Sequence, residues 1–278
     1  MITLTVIELQ KIFKKWRTYI GFIAIGVLVP IVQTALYFEG DAYVDAITRN
    51  LQDSFFFVGN LLNGYLIAKI VLTALYIHIP FLIVLVGGDL LASEATAGTY
   101  RMLLTRPISR FRVVTAKFFA GFIYVFLLLA WLAFLSLGVS LLLFGTGELI
   151  SFQGRLVIFA ADDVLWRFAG AYAYSLLSML TVFTLAFFFS SMVENAIGPI
   201  VTSMAVIIIL IILSALPIDF LKEISPYFFT SHMTQWDAFF GDPVDYSRIL
   251  NSGLILFGHI IVLYLITTYL FLKKDILS

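Results

Sequence analysis

Residues 89–117 read Asp89-Leu-Leu-Ala-Ser93-Glu94-Ala-Thr-Ala-Gly98-Thr99-Tyr-Arg101-Met-Leu103-Leu104-Thr-Arg106-Pro107-Ile-Ser109-Arg110-Phe-Arg112-Val-Val-Thr-Ala-Lys117. This is a charged, hairpin-like island between two long apolar runs. Its seven ionisable groups are Asp89, Glu94, Arg101, Arg106, Arg110, Arg112 and Lys117. At about 3 kcal/mol per charge at a bilayer centre, burying them all in lipid costs on the order of 20 kcal/mol. The island is therefore expected at a membrane surface, and its excess of Arg and Lys assigns that surface to the cytoplasmic side.

Composition supports a membrane setting. The chain is 62% hydrophobic and 12% charged, with a mean hydropathy of +1.04, whereas soluble domains carry about 25% charged residues. There is no cysteine, which excludes disulfides, thiolate metal sites and Cys nucleophiles. The first residues do not read as a cleavable signal peptide, because the apolar run is too long and no small-residue cleavage pattern follows it.

A membrane helix needs about 20 apolar residues. Six runs qualify, near 18–38, 64–89, 113–144, 164–190, 196–216 and 249–272. Each is expected to be helical, since lipid offers no partner to an unpaired backbone group. Pro30 and Pro80 fall inside spans and are expected to kink them. With both termini inside, the cytoplasmic side holds Lys11, Lys14, Lys15, Arg17, the basic residues of the island, Lys273 and Lys274. The outer side holds Arg49, Arg155, Lys222 and Arg248, with Arg167 at its border. This bias fixes the expected orientation.

Residues 1–17 read as an amphipathic helix along the inner membrane surface. Leu4, Ile7, Leu9, Ile12, Phe13 and Trp16 form its apolar side, and Glu8, Lys11, Lys14 and Lys15 its polar side, with the lysines toward anionic headgroups. Residues 217–248 are too apolar for a plain loop and are expected to form short helices dipping into the outer interface, punctuated by Pro217, Pro226 and Pro243. The expected fold is thus an all-α integral membrane protein in a single domain, 1–278.

Within the island, Ser93 to about Thr105 reads as a short helix. Glu94 falls near its N-terminus, where the helix dipole favours a carboxylate. Gly98 permits close approach of another backbone. Arg101 and Arg106 lie toward the C-terminus, and Pro107 ends the helix. Arg110, Arg112 and Lys117 are expected to anchor the third span at the headgroups. Glu94 has three readings: contact with a cytosolic partner, pairing with Arg101, or pairing with a lysine of the N-terminal helix.

The pattern Glu94-x-x-x-Gly98-Thr99, Leu103-Leu104, Pro107, Ser109-Arg110 and Lys117 resembles the permease subunits of type-2 (ABC-2) ATP-binding cassette transporters. The resemblance covers the whole chain, through the interfacial helix, six spans, and an aromatic re-entrant segment before the last. It implies that residues 90–112 form a cytoplasmic coupling loop between spans two and three. Ser93, Glu94, Gly98, Thr99, Arg101, Arg106, Ser109 and Arg110 would then contact a cytosolic ATPase. It also implies two permease protomers, a homodimer being expected, with two ATPase subunits, and a substrate path between protomers lined by spans one, two and five. The chain has no phosphate-binding loop of its own. Gly145-Thr146-Gly147-Glu148 is followed by no Lys-Ser and lies on the expected outer side. No cofactor is expected in the chain, and ATP and Mg would be bound by the partner ATPase. The resemblance places the chain in the bacterial inner membrane, exporting a lipid-like, glycan, peptide or drug cargo.

Ionisable groups at membrane depth are functional candidates. Here they are Lys69, which can snorkel to the outer headgroups, His78 just before Pro80, and His259 in the last span. Each histidine is read as neutral and satisfied by its neighbours, with a proton relay or substrate contact as the alternative. Gln33, Thr34, Thr202 and Ser203 are expected to face the partner protomer. Glu194 and Asn195 read as a solvated turn, and His232 with Met233 is too sparse for a metal site. Three other functions are weighed. A permease could pass mechanical work to a periplasmic partner docked on 217–248. A membrane-embedded enzyme would need a catalytic cluster, which is absent from the sequence. An ion-coupled carrier would use Lys69 or His78 and would be expected to show an internal repeat. Nucleic acid is not an expected partner; membrane lipid is.

Overall fold

The computed structural model describes residues 1–49, 61–96, 108–152 and 156–274. Long apolar helices dominate it. α1 (Ile2–Lys14) and α2 (Trp16–Thr48) meet at Lys15, whose extended backbone separates them. α3 (Gly64–Tyr76) and α4 (Ile79–Gly87) form a bent pair, and α5 (Asp89–Thr96) follows at once. α6 (Arg110–Ala133) passes through a π-helical segment, Phe134–Val139, into α7 (Ser140–Phe144). An antiparallel hairpin of β1 (Leu149–Phe152) and β2 (Leu156–Phe159) leads to α8 (Ala161–Met192). α9 (Ile197–Ala215), the short α10 (Asp219–Ile224) and α11 (Phe229–Met233), and α12 (Tyr246–Lys273) complete the order.

Among the described residues, five helices are long and apolar enough to cross a membrane, six if the bent pair is one span. The chain is a multi-pass helical membrane protein. The small hairpin is an addition to the all-α expectation. Its Leu149, Ile150 and Phe159 are buried, so it closes one end of the bundle rather than looping into solvent. The bend of 51° between α3 and α4 falls at Ile77–His78, just before Pro80, which lacks an N–H to continue the ladder. Pro30 sits inside α2 without interrupting it.

α8 is the axis. Of its most apolar stretch 67% is buried within the chain, against at most 39% for any other long helix. Its small and hydroxyl residues explain this. Ser175, Ser178, Thr181 and Thr184 are buried, and the last three donate to carbonyls one turn back, of Tyr174, Leu177 and Leu180. Small residues let membrane helices approach closely where no hydrophobic force drives them together. Around this axis Phe118 of α6 lies 4.7 Å from Tyr264 of α12 and 5.7 Å from Phe183 of α8, ring centre to ring centre.

At the hairpin end, Asn63 caps α3. Its Oδ1 accepts from the amides of Tyr65 (3.0 Å) and Leu66 (3.2 Å), and its Nδ2 donates to the Glu148 carbonyl (2.7 Å). Gly64 follows, its amide donating to Gly145 O at 2.9 Å. A side chain at Gly64 would strike the backbone of Ser140 and Leu141. Gln33, expected to face a partner protomer, is instead buried within the chain. Its Nε2 donates to Leu135 O (2.8 Å) and Ser140 Oγ (2.9 Å), because the π-helical winding leaves a carbonyl available there. Ser203 likewise is buried and donates to Pro199 O, while Thr34 and Thr202 are exposed. Residues 217–248 do form short helices, but Phe229, Met233, Trp236 and Phe240 turn into the bundle. Phe168 of α8 receives Phe240 edge-on at 4.9 Å.

Gly121 of α6 faces the Phe183 ring, and a Cβ there would overlap it. Phe183 is fully buried and has no room to swing away. Gly121→Ala is expected to cost about 1–3 kcal/mol by overpacking, read as a lower melting temperature in detergent. Gly258→Ala, with nothing within 4 Å, is the matched control. Equal melting temperatures for the two variants would contradict this packing.

Candidate functional site

Four charges form a closed ring at the end of the bundle opposite the hairpin. Lys117 Nζ donates to Glu8 Oε2 at 2.6 Å and pairs with Glu94 Oε1 at 2.8 Å. Lys11 Nζ donates to Glu8 Oε1 at 2.7 Å and to Glu94 Oε1 at 2.8 Å. Cation and anion alternate, so the ring is neutral. Beside it Lys15 Nζ donates to Asp89 Oδ2 (2.6 Å) and Ser93 Oγ (2.8 Å), and Arg17 reaches Asp89 Oδ1 (3.4 Å).

Helical spacing builds the site. Glu8, Lys11, Ile12 and Lys15 follow the i, i+3, i+4, i+7 pattern of one helix face, and that face turns to α5 and α6. On α5, Asp89 and Ser93 are one turn apart, and Ser93 Oγ donates back to Asp89 O at 2.6 Å. Burial of Lys11 favours its neutral form, but hydrogen bonds and charge from Glu8 and Glu94 outweigh that and hold its pKa above the usual 10.5.

α5 is tied on its other side as well. Ser190 Oγ of α8 accepts from the amides of Leu91 (3.0 Å) and Ala92 (2.9 Å) and donates to Gly88 O (2.6 Å). The Thr96 hydroxyl donates to the Glu194 carbonyl. Hence α5 joins the N-terminal helix, α6 and the end of α8 through side-chain bonds.

Several expected placements change. α5 begins at Asp89, not Ser93, so Asp89 occupies the first turn and Glu94 lies further along. Glu94 pairs with Lys11 of the N-terminal helix, one of its three readings, while Arg101 lies outside the described residues. Glu8, read as part of the polar side of the interfacial helix, is buried, while Ile7 and Trp16 of its apolar side are exposed. Lys117 is not a headgroup anchor, since only 1% of its side chain is exposed. Ser109 and Arg110 have local roles. Ser109 caps α6 by accepting from the Arg112 amide. Arg110 donates to the carbonyls of Leu272 (3.1 Å) and Lys274 (2.8 Å), covering groups that the end of a helix leaves unpaired. Gly98, Thr99, Arg101 and Arg106 lie outside the described residues.

A family model described as "Protein of unknown function (DUF2705)" matches residues 27–277. The chain belongs to the DUF2705 family. The "Uncharacterized protein YhcI" of Bacillus subtilis (strain 168) is 26% identical over 204 residues, 69% of this chain and 63% of that relative's length. The DUF2705 match begins inside α2, so it takes in Asp89, Glu94 and Lys117 but not Glu8, Lys11, Lys15 or Arg17.

The intramembrane candidates of this DUF2705 chain are dispersed. Lys69 does not snorkel outward. It donates to Ser151 Oγ of the hairpin at 2.6 Å, lies 3.6 Å from Asp237, and sits over the Phe240 ring. His78 and His259 each donate from Nδ1 to a carbonyl one turn back, of Ala74 (3.0 Å) and Ile255 (2.8 Å), which fixes the tautomer. His232 uses both ring nitrogens, toward Ser252 Oγ and Pro226 O. Among the described residues no three His, Asp or Glu side chains converge as a metal site requires. Arg167, read only as a border charge, proves to be a buried clamp. It pairs with Asp163 (2.7 Å), donates to Phe239 O (2.8 Å) and Gly241 O (2.9 Å), and lies over the Phe159 ring. The signal for it was an Asp163–Arg167 pair at i, i+4.

Lys117→Ala leaves Glu8 and Glu94 sharing one ammonium in a buried setting. It is expected to cost about 3–5 kcal/mol. Lys11 is 42% exposed, so Lys11→Ala is expected to cost no more than about 1 kcal/mol, as for solvent-screened pairs. Thermal unfolding in detergent checks the ranking, and Lys11→Ala proving the more damaging would refute the burial argument.

Proposed function

We propose that this chain is the membrane-spanning permease subunit of an ABC-2-type transporter, driven by a separate ATPase. The observation that carries the reading is α5: a short helix held by a charge ring to α1 and α6 and by Ser190 to the central α8. Force applied to α5 from the cytosol would reach three other helices through bonds of 2.8–3.0 Å. In this reading the ring end faces the cytoplasm, the hairpin faces outside, and both termini are cytoplasmic. The membrane is the bacterial inner membrane, in keeping with the bacterial relative. Two permease protomers pair, two ATPase subunits bind ATP and Mg, and the cargo leaves the cell between the protomers. Candidate cargoes are lipid-like molecules, glycans, peptides and drugs, and the nearly uncharged spans suit an amphipathic or apolar one best.

A second reading, transmission of motion to an envelope partner, needs a docking surface on residues 217–248. The inward turn of Phe229, Trp236 and Phe240 leaves Ile218, Phe220 and Tyr227 exposed there, a smaller surface than the composition of the segment suggests.

The test is detergent purification of tagged chain co-expressed with the ABC-type ATPase encoded nearest its gene. Wild type is expected to retain the ATPase. Glu94→Gln, which keeps shape but removes charge, is expected to lower ATP turnover several-fold while the chain stays folded. Lys14→Ala, an exposed change, is expected to keep both the ATPase and its turnover. Folded wild type that retains no ATPase would refute the reading.

A further inference from the structure

A cleft of about 880 Å³ opens among α3, α4, α9 and the turns of residues 230–238. Ligand sites commonly hold about 300–1,000 Å³, so this volume suits one mid-sized molecule. The cleft has two chemically distinct parts. Ile77 and Phe81 at the α3–α4 bend oppose Ile208, Ile211 and Ile212 of α9. All five are exposed, so this part opens on the flank of the bundle, where lipid would lie.

The other part is polar. Lys69, Asp237 and Arg248 line it. Lys69 is already positioned by Ser151 and Asp237. Arg248 is exposed and makes no ion pair among the described residues. Among the described lining residues two cations face one carboxylate, an excess of positive charge. Thr230 and Trp236 also line the cleft, and their Oγ1 and Nε1 atoms are buried with no hydrogen-bond partner among the described residues. Such groups are rare in folded chains and call for an explanation.

We propose that this cleft binds a single-chain anionic amphiphile taken from the bilayer. Its head lies at Arg248 and Lys69, and its tail runs between Phe81 and Ile208–Ile212. The volume of about 880 Å³ suits one molecule of that size. The α3–α4 bend creates the space, which an unbroken helix would close. The site requires only a bilayer and lies away from the charge ring, so it stands or falls separately from any ATPase.

The experiment uses the full chain in lipid nanodiscs without ATPase. The probe is a lysophosphatidate bearing a photoreactive diazirine in its tail, with the matched lysophosphatidylcholine as head-group control. Expected are saturable labelling of peptides covering residues 77–81 and 207–212, at least fivefold weaker labelling by the choline probe, and at least fivefold weaker apparent affinity in Arg248→Gln. Ile211→Trp, which fills the slot from an exposed position, is expected to abolish labelling while the melting temperature holds. Non-saturable labelling, labelling unchanged in Ile211→Trp, or equal labelling by both heads would overturn the proposal.

Discussion

A buried ammonium must be neutralised where it stands, and Lys117 imposes that condition on one whole end of the molecule. It lies within α6 with almost no exposure. Desolvating a single charge costs several kcal/mol unless opposite charge and hydrogen bonds surround it. Glu8 and Glu94 supply both, and Lys11 balances the second negative charge. Because these residues come from α1, α5 and α6, meeting the electrostatic condition also fixes how three helices stand against one another. The ring is thus a geometric constraint before it is a source of stability, since buried ion pairs offset their own desolvation only narrowly.

The opposite end solves the same problem with backbone partners. Asn63 bridges the start of α3 to the Glu148 carbonyl. Arg167 spends its guanidinium on Asp163 and on two carbonyls of the 217–248 segment, and Lys69 ties the hairpin to α3. Between the ends, α8 carries few charges and many hydroxyls that bond within their own helix. The bundle therefore has polar networks at both ends and an apolar, closely packed middle. Relative motion of the helices would be felt first at the two ends, which is where a device driven from one side and acting on the other would need its connections.

The cleft beside the α3–α4 bend follows from the same economy. Pro80 prevents a continuous ladder, the chain turns at Ile77–His78, and α9 cannot fill the space left beside it. In water such a space would be lined with polar groups or closed; in a bilayer its apolar wall can stay open because lipid is as apolar as isoleucine.

Much of the architecture was legible in the order of residues. Charge is too costly in hydrocarbon and backbone too polar to stay unpaired, so long uncharged runs had to be helices and charged stretches had to lie at their ends. Hydropathy therefore located the long apolar helices, and Pro80 marked the bend. The same reasoning placed an amphipathic helix at the N-terminus and short helices in residues 217–248. What it could not supply was partnership. Glu8 looked like a polar-side residue of an interfacial helix, Lys117 a headgroup anchor, Lys69 a snorkelling lysine and Gln33 a group for another protomer. Each has an internal partner 82 to 109 positions away in the chain, for Lys69 on an element with no sequence signal, the hairpin bearing Ser151. Local pattern records what a residue prefers to meet, and only the packing of α1, α5 and α6 decides which charges meet, because side chains so far apart in sequence share a site solely through the helices that carry them.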